Sequence, residues 1–86
     1  MAGYKVFIKK SAAKELEEIP KRDLKKIVEK IAALADDPRP PGAEKLSAQE
    51  RYRIRQGDYR IVYAIEDTVL TVWVVRVGHR REVYRQ

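Results

Sequence analysis

RYRIRQGDYR, residues 51–60, reads as two strands folded about a two-residue turn. Tyr52 and Ile54 alternate with Arg51, Arg53 and Arg55, the pattern of a half-buried strand. Gly57-Asp58 supplies the tight turn. The second strand continues from Tyr59 to Glu66, with Tyr59, Ile61, Tyr63 and Ile65 on one face. Arg60, Val62 and Ala64 take the other face. So tight a turn fixes the register, and Arg55 and Arg60 become cross-strand neighbours roughly 5 Å apart at Cβ. The tyrosines and isoleucines should meet a helical layer, leaving Arg53, Arg55 and Arg60 on an open face.

Working outward, a third run, Val69 to Val77, is apolar on both sides and suits a central strand. The tail GHRREVYRQ has room for one short edge strand near Glu82 to Tyr84. Upstream, Tyr4 to Ile8 alternates as a strand. Ser11 stands at a helix N-cap position, followed by the short apolar stripe Ala12, Ala13, Leu16 and Ile19. Pro20 interrupts that stripe because it lacks an N–H and clashes with the preceding turn. The spacing of Leu24, Ile27, Val28, Ile31 and Leu34 predicts a second helix from about Lys21 to Ala35. Lys25, Lys26, Glu29 and Lys30 read as its solvated face. DDPRPPG, residues 36–42, is a loop, and Glu44 to Glu50 reads as irregular or a single turn. The expected architecture is α+β, in the order β-α-α-β-β-β with a possible final short strand. Two helices would pack on one face of a mostly antiparallel sheet.

Composition narrows the function. Eighty-six residues make one small domain, taken as residues 1–86. There is no Cys and one His, so neither a disulfide nor a protein-built zinc site is expected. No apolar run is long enough to span a bilayer, and the start lacks a signal-peptide pattern, so a cytoplasmic protein is expected. The net charge of +6 points to a polyanion or an acidic protein as partner. All nine lysines lie at or before Lys45, whereas eight of the ten arginines lie at or after Arg51. Residues 51–86 thus set eight arginines against four acids, a net +4 on guanidinium groups alone. Guanidinium is the cation suited to bidentate phosphate contact. Like charges on neighbouring strands are unfavourable unless compensated, so three converging arginines favour an anion-binding face over a merely soluble one.

YRIRQGDYRIVYAIEDTVLTVWVVRVGHRREVY, residues 52–84, and IKKSAAKELEEIP, residues 8–20, resemble the RelE branch of the RelE/ParE toxin superfamily. The resemblance covers nearly the whole chain. It implies the toxin of a type II toxin–antitoxin system, a ribosome-dependent endoribonuclease that cuts mRNA in the ribosomal A site. By that resemblance the 2′-hydroxyl attacks the adjacent phosphate with no metal and no cofactor. The products are a 2′,3′-cyclic phosphate and a 5′-hydroxyl end. The implied partners are the 70S ribosome, mRNA and a cognate RelB-like antitoxin, with DNA contacted only through the antitoxin. Residue by residue, the family's hairpin cations fall on Arg53 and Arg55, and its transition-state arginine on Arg60. Its general acid or leaving-group stabiliser falls on Arg80, and its base-stacking tyrosine on Tyr84. Arg81 is an adjacent backbone contact.

One departure matters. The best-described members carry Lys at the positions of Arg53 and Arg55, and the second is their proposed base. Arginine, with a pKa above about 12, is a poor base. Either Arg55 acts only electrostatically, or another group takes the proton, with Glu44, Glu82 and His79 as the candidates. Two other readings stay open: a ParE-like gyrase poison, and a non-catalytic RNA- or ribosome-binding module.

Overall fold

In the computed structural model, which describes residues 3–46 and 50–79, the hairpin forms as its alternation requires. Strand β1 is Lys5–Ile8, helix α1 Lys10–Leu16, helix α2 Lys21–Ala33 and strand β2 Glu44–Leu46. Strand β3 is Arg51–Gln56, β4 Tyr59–Glu66 and β5 Thr71–His79. They build one sheet in the order β1-β5-β4-β3-β2. The β1–β5 pair is parallel and the other three pairs are antiparallel. Both helices pack on this mixed sheet, as expected. The final short strand, at Glu82 to Tyr84, lies outside the described residues.

The turn between β3 and β4 joins Gln56 to Tyr59 directly. Gly57 has φ +61°, and no positive φ occurs at Asp58. A positive φ at the first central position alone marks a type II′ turn, which favours glycine there. Its twist matches the strands, so the register holds through six pairs to Arg51↔Ala64.

Helix α2 buries Ile27 and Ile31, and Leu34 just beyond it is buried as well. With Ala12 and Ile19 they meet Ile54, Ile61, Tyr63, Ile65, Val72, Val74 and Val77 from the sheet. The helix ends at Ala33, short of the expected Ala35, because its last turn tightens. Leu34, Ala35 and Asp36 donate to carbonyls three residues back instead of four.

Ser11 is not the cap of α1; Lys9 occupies that position without a side-chain cap bond. The Ser11 hydroxyl donates to the Val75 carbonyl at 3.1 Å instead. The reason lies in β1, whose pairing stops at Ile8↔Val74 and leaves the rest of that β5 edge without a strand. Backbone groups at a sheet edge still need partners. Lys9 N–H serves Val74, Ser11 serves Val75, and Glu15 Oε1 accepts the Val77 N–H at 2.8 Å. Glu15 Oε2 also accepts from Arg76 Nε at 3.0 Å. Helix α1 therefore replaces a strand along this edge. Glu15→Ala is expected to cost about 1–3 kcal/mol in urea unfolding, since it orphans one backbone donor and one half-buried guanidinium.

Residues 44–46 form a strand, where irregular chain was expected. Glu-Lys-Leu has little intrinsic strand preference. What holds it is the free edge of β3, through the pairs Glu44↔Arg53, Lys45↔Tyr52 and Leu46↔Arg51. Gly42, at φ +93°, lets the chain leave the proline loop and enter this pairing.

Candidate anion-binding site

Residues of equal parity on β4 share a face, and the strand pairs carry that face across the sheet. Arg55 stands opposite Arg60, and Arg53 opposite Val62, as the turn predicted. On β2, Glu44 stands opposite Arg53. On β5, Gly78 faces Arg60. The row across the sheet therefore concentrates cations around one carboxylate.

This face is less open than its alternation suggested. Arg60 is only 5% exposed and Val62 only 6%. Alternation tells which face a residue occupies but not whether that face is covered, and here β4 is buried on both sides over residues 60–63. Burying a guanidinium is unfavourable unless it is paired. Consistent with that, no buried side-chain nitrogen or oxygen among the described residues lacks a hydrogen-bond partner.

Arg53, Arg55 and Arg60 line a cleft of about 310 Å³ together with Lys30, Pro41, Gly42, Glu44 and Ile54. It opens where β2 ends: β2 covers β3 only as far as Arg53, so Ile54 and Arg55 lie beyond it. Lys30 joins from α2. It is exposed, as its place on the solvated helix face implies, and it also lines the cleft. Its signal in the sequence is its place three residues after Ile27 and one before Ile31, at the rim of the buried stripe.

Glu44 is ion-paired and hydrogen-bonded to Arg53. That hydrogen bond, then the Arg53 charge, with smaller contributions from Arg55 and Arg60, holds its carboxyl below the usual carboxylate range. A carboxylate so held is a weaker proton acceptor than an ordinary glutamate. His79, the other described candidate, is packed edge-on against Tyr59, ring centres 5.9 Å apart. Arg80, Arg81, Glu82 and Tyr84 lie outside the described residues.

The cleft wall at Pro41 and Gly42 belongs to a loop that the sequence showed only as proline-rich. Its Arg39 is clamped at the far end of the sheet. Arg39 donates to both Asp67 oxygens, at 3.3 and 2.9 Å, and from Nε to the Tyr52 hydroxyl at 3.1 Å. Its guanidinium carbon also lies 5.3 Å from the Tyr52 ring centre. Tyr4 donates to Asp67 at 2.7 Å, and Arg39 followed by Tyr4 lowers the Asp67 carboxyl below its normal range. Buried Tyr63 donates to the Pro38 carbonyl at 2.8 Å. An arginine and three tyrosines thus fix a loop that no regular backbone ladder supports.

The arrangement can hold a singly or doubly charged oxyanion between guanidinium groups on adjacent strands. It can stabilise charge that develops on a phosphate. Among the described residues no group of three or more His, Cys, Asp or Glu side chains is placed to hold a metal ion. No helix of the described residues is long and apolar enough to cross a membrane.

Residues 6–84 match the family model described as the ParE toxin of type II toxin–antitoxin systems. Toxin RelG of Mycobacterium tuberculosis is 32% identical over 85 residues, covering 96% of this chain and 98% of that protein. Toxin RelE of the same organism is 32% identical over 84 residues, 95% of this chain and 87% of that protein. Among solved structures, the toxin–antitoxin complex RelBE2 of M. tuberculosis contains a chain that superposes with a TM-score of 0.82 at 31% identity. That match covers 93% of this chain and 94% of the other. The archaeal RelE–RelB complex of Pyrococcus horikoshii gives a TM-score of 0.82 at 27% identity, over 91% and 96% of the two chains.

Proposed function

Because this chain belongs to the RelE/ParE superfamily of toxins from type II toxin–antitoxin systems, with its relatives on the RelE side, we propose that it is a ribosome-dependent endoribonuclease. It cleaves mRNA in the ribosomal A site and thereby stops translation. The observation that carries this reading is the convergence of Arg53, Arg55, Arg60 and Lys30 on one cleft.

In the proposed reaction the 2′-oxygen of a ribose attacks the adjacent phosphorus. The bond from phosphorus to the 5′-oxygen of the next nucleotide breaks. The 2′-hydroxyl proton leaves to a base, and the departing 5′-oxygen takes up a proton. Negative charge grows on the non-bridging oxygens as the fifth bond forms. Arg55 and Arg60, opposed on neighbouring strands, neutralise that charge. Arg53 binds the RNA backbone beside them, and Arg81 extends that contact. Arg80 serves the leaving oxygen, and Tyr84 stacks on a base and holds the backbone in line. Arg55 is too weak an acid to act as the proton acceptor, so its part is electrostatic. The protein works in the cytoplasm, where the ribosome is its substrate platform and a RelB-like antitoxin its inhibitor.

The name of the matching family model favours a second reading, a ParE-like poison of DNA gyrase. One experiment separates the two. The toxin is added to a translating extract and mRNA ends are mapped by primer extension, beside a gyrase supercoiling assay. Cuts at A-site codons that vanish with Arg80→Ala are the expected result. Intact mRNA with lost supercoiling overturns the nuclease reading.

A further inference from the structure

We infer that Glu44 is an internal counter-anion of the cleft, a carboxylate that occupies the arginine cluster and that an incoming phosphate must displace. The inference rests on the reading of the cleft as the place where RNA phosphate binds. It gives Glu44 a role opposite to that of a proton acceptor.

Three observations carry it. Glu44 lies in register opposite Arg53, and its carboxylate is ion-paired with that guanidinium. Among the eight described residues lining the cleft it is the one acid, beside four cations. Its side chain remains 58% exposed while that of Arg53 is 19% exposed, so the carboxylate sits on the solvent side of the pair. A carboxylate and a phosphate offer guanidinium the same planar pair of acceptor oxygens. A phosphate reaching Arg53 from solvent therefore meets Glu44 first, on the same donors.

Displacement is feasible because the carboxylate end of the pair is solvent-exposed, and water screens and weakens its hold on Arg53. It also leaves the carboxylate within a cleft that holds Lys30. The effect is selective. One weakly held anion keeps ordinary monoanions from filling the cluster. A polyanion that engages Arg53, Arg55 and Arg60 together overcomes it. Glu44 thereby lowers the affinity of the cluster for stray phosphates and RNA away from the proper target.

The test compares the full-length protein with Glu44→Gln and Glu44→Ala, first confirming equal melting temperatures. Two probes are titrated: inorganic pyrophosphate, and a fluorescent 2′-O-methyl RNA trinucleotide that cannot be cut. Both variants are expected to bind each probe about fivefold more tightly. The slope of log K for RNA against log salt should steepen by about 0.7, the contribution of one more cation engaged on a single strand. Unchanged or weaker binding with an unchanged slope overturns the inference. So does normal binding by Glu44→Gln with loss of mRNA cutting, which would make Glu44 the proton acceptor. If both variants tighten pyrophosphate binding but the wild-type protein cuts no mRNA, the counter-anion stands and the nuclease reading falls.

Discussion

Arg60→Ala is expected to lower A-site cleavage by at least about 100-fold, the scale of losing one preorganised donor to a transition-state oxyanion. Arg60 is the buried member of the cluster, and burial is what makes its charge count. A cation in a low-dielectric setting interacts several times more strongly with a nearby charge than one in water. Its position is also fixed by the hairpin. It lies one pair from a two-residue turn, on a strand paired along both edges. Arg60→Lys keeps the charge and loses the bidentate fork, so cutting should stay at least about tenfold below wild type. End mapping at saturating toxin measures both, with circular dichroism and thermal melting run in parallel. Full cutting by Arg60→Ala would remove this cleft from the chemistry. Arg55→Ala should be milder, because that side chain is exposed and screened by water.

The contrast between Arg55 and Arg60 shows how far strand alternation carries. Period-two patterning with a Gly-Asp turn fixed which residues share a face and which stand opposed. Both follow from local geometry. Coverage of a face depends on distant segments, so the near-complete burial of Arg60 and Val62 had no local signal. Strand β2 escaped for a related reason. Glu44, Lys45 and Leu46 carry no strand pattern of their own and extend only because β3 offers an edge. Lys30 shows the same limit on a helix. The 3.6-residue period assigned it to the polar side correctly, yet the rim of that side meets the loop at Pro41 and Gly42. The parts of the site that come from one hairpin were legible. Those that need β2, α2 and the proline loop brought together were not. The sequence marks Glu44 only as an alternative base, whereas its carboxylate is ion-paired with Arg53.

Tyr63→Ala should cost about 3–5 kcal/mol of folding stability, the range for deleting a buried aromatic ring. A domain of this length has roughly 4–13 kcal/mol in total, so the variant approaches the unfolding threshold. At roughly 4–8 °C per kcal/mol the melting temperature should fall by more than about 12 °C. Tyr63 is fully buried in mid-β4, stacks on Tyr52 at 5.9 Å and holds the Pro38 carbonyl. It therefore joins the core to the loop whose Pro41 and Gly42 wall the cleft. Tyr63→Phe separates these roles. It keeps the ring and orphans only the carbonyl, for about 1–3 kcal/mol. Wild type and Tyr63→Phe also differ in alkali. Burial pushes the Tyr63 phenol up to about 12, from 10.0 in the unfolded chain. A folded pKa above the unfolded one stabilises fully below pH 10 and loses that contribution as pH rises toward 12. Wild type should thus lose stability across that window, and Tyr63→Phe should lose less. A Tyr63→Ala protein that melts within 5 °C of wild type would show that the ring is not the joint between core and loop. A Tyr63→Phe protein that folds but cuts poorly would show that the cleft wall depends on that single hydrogen bond.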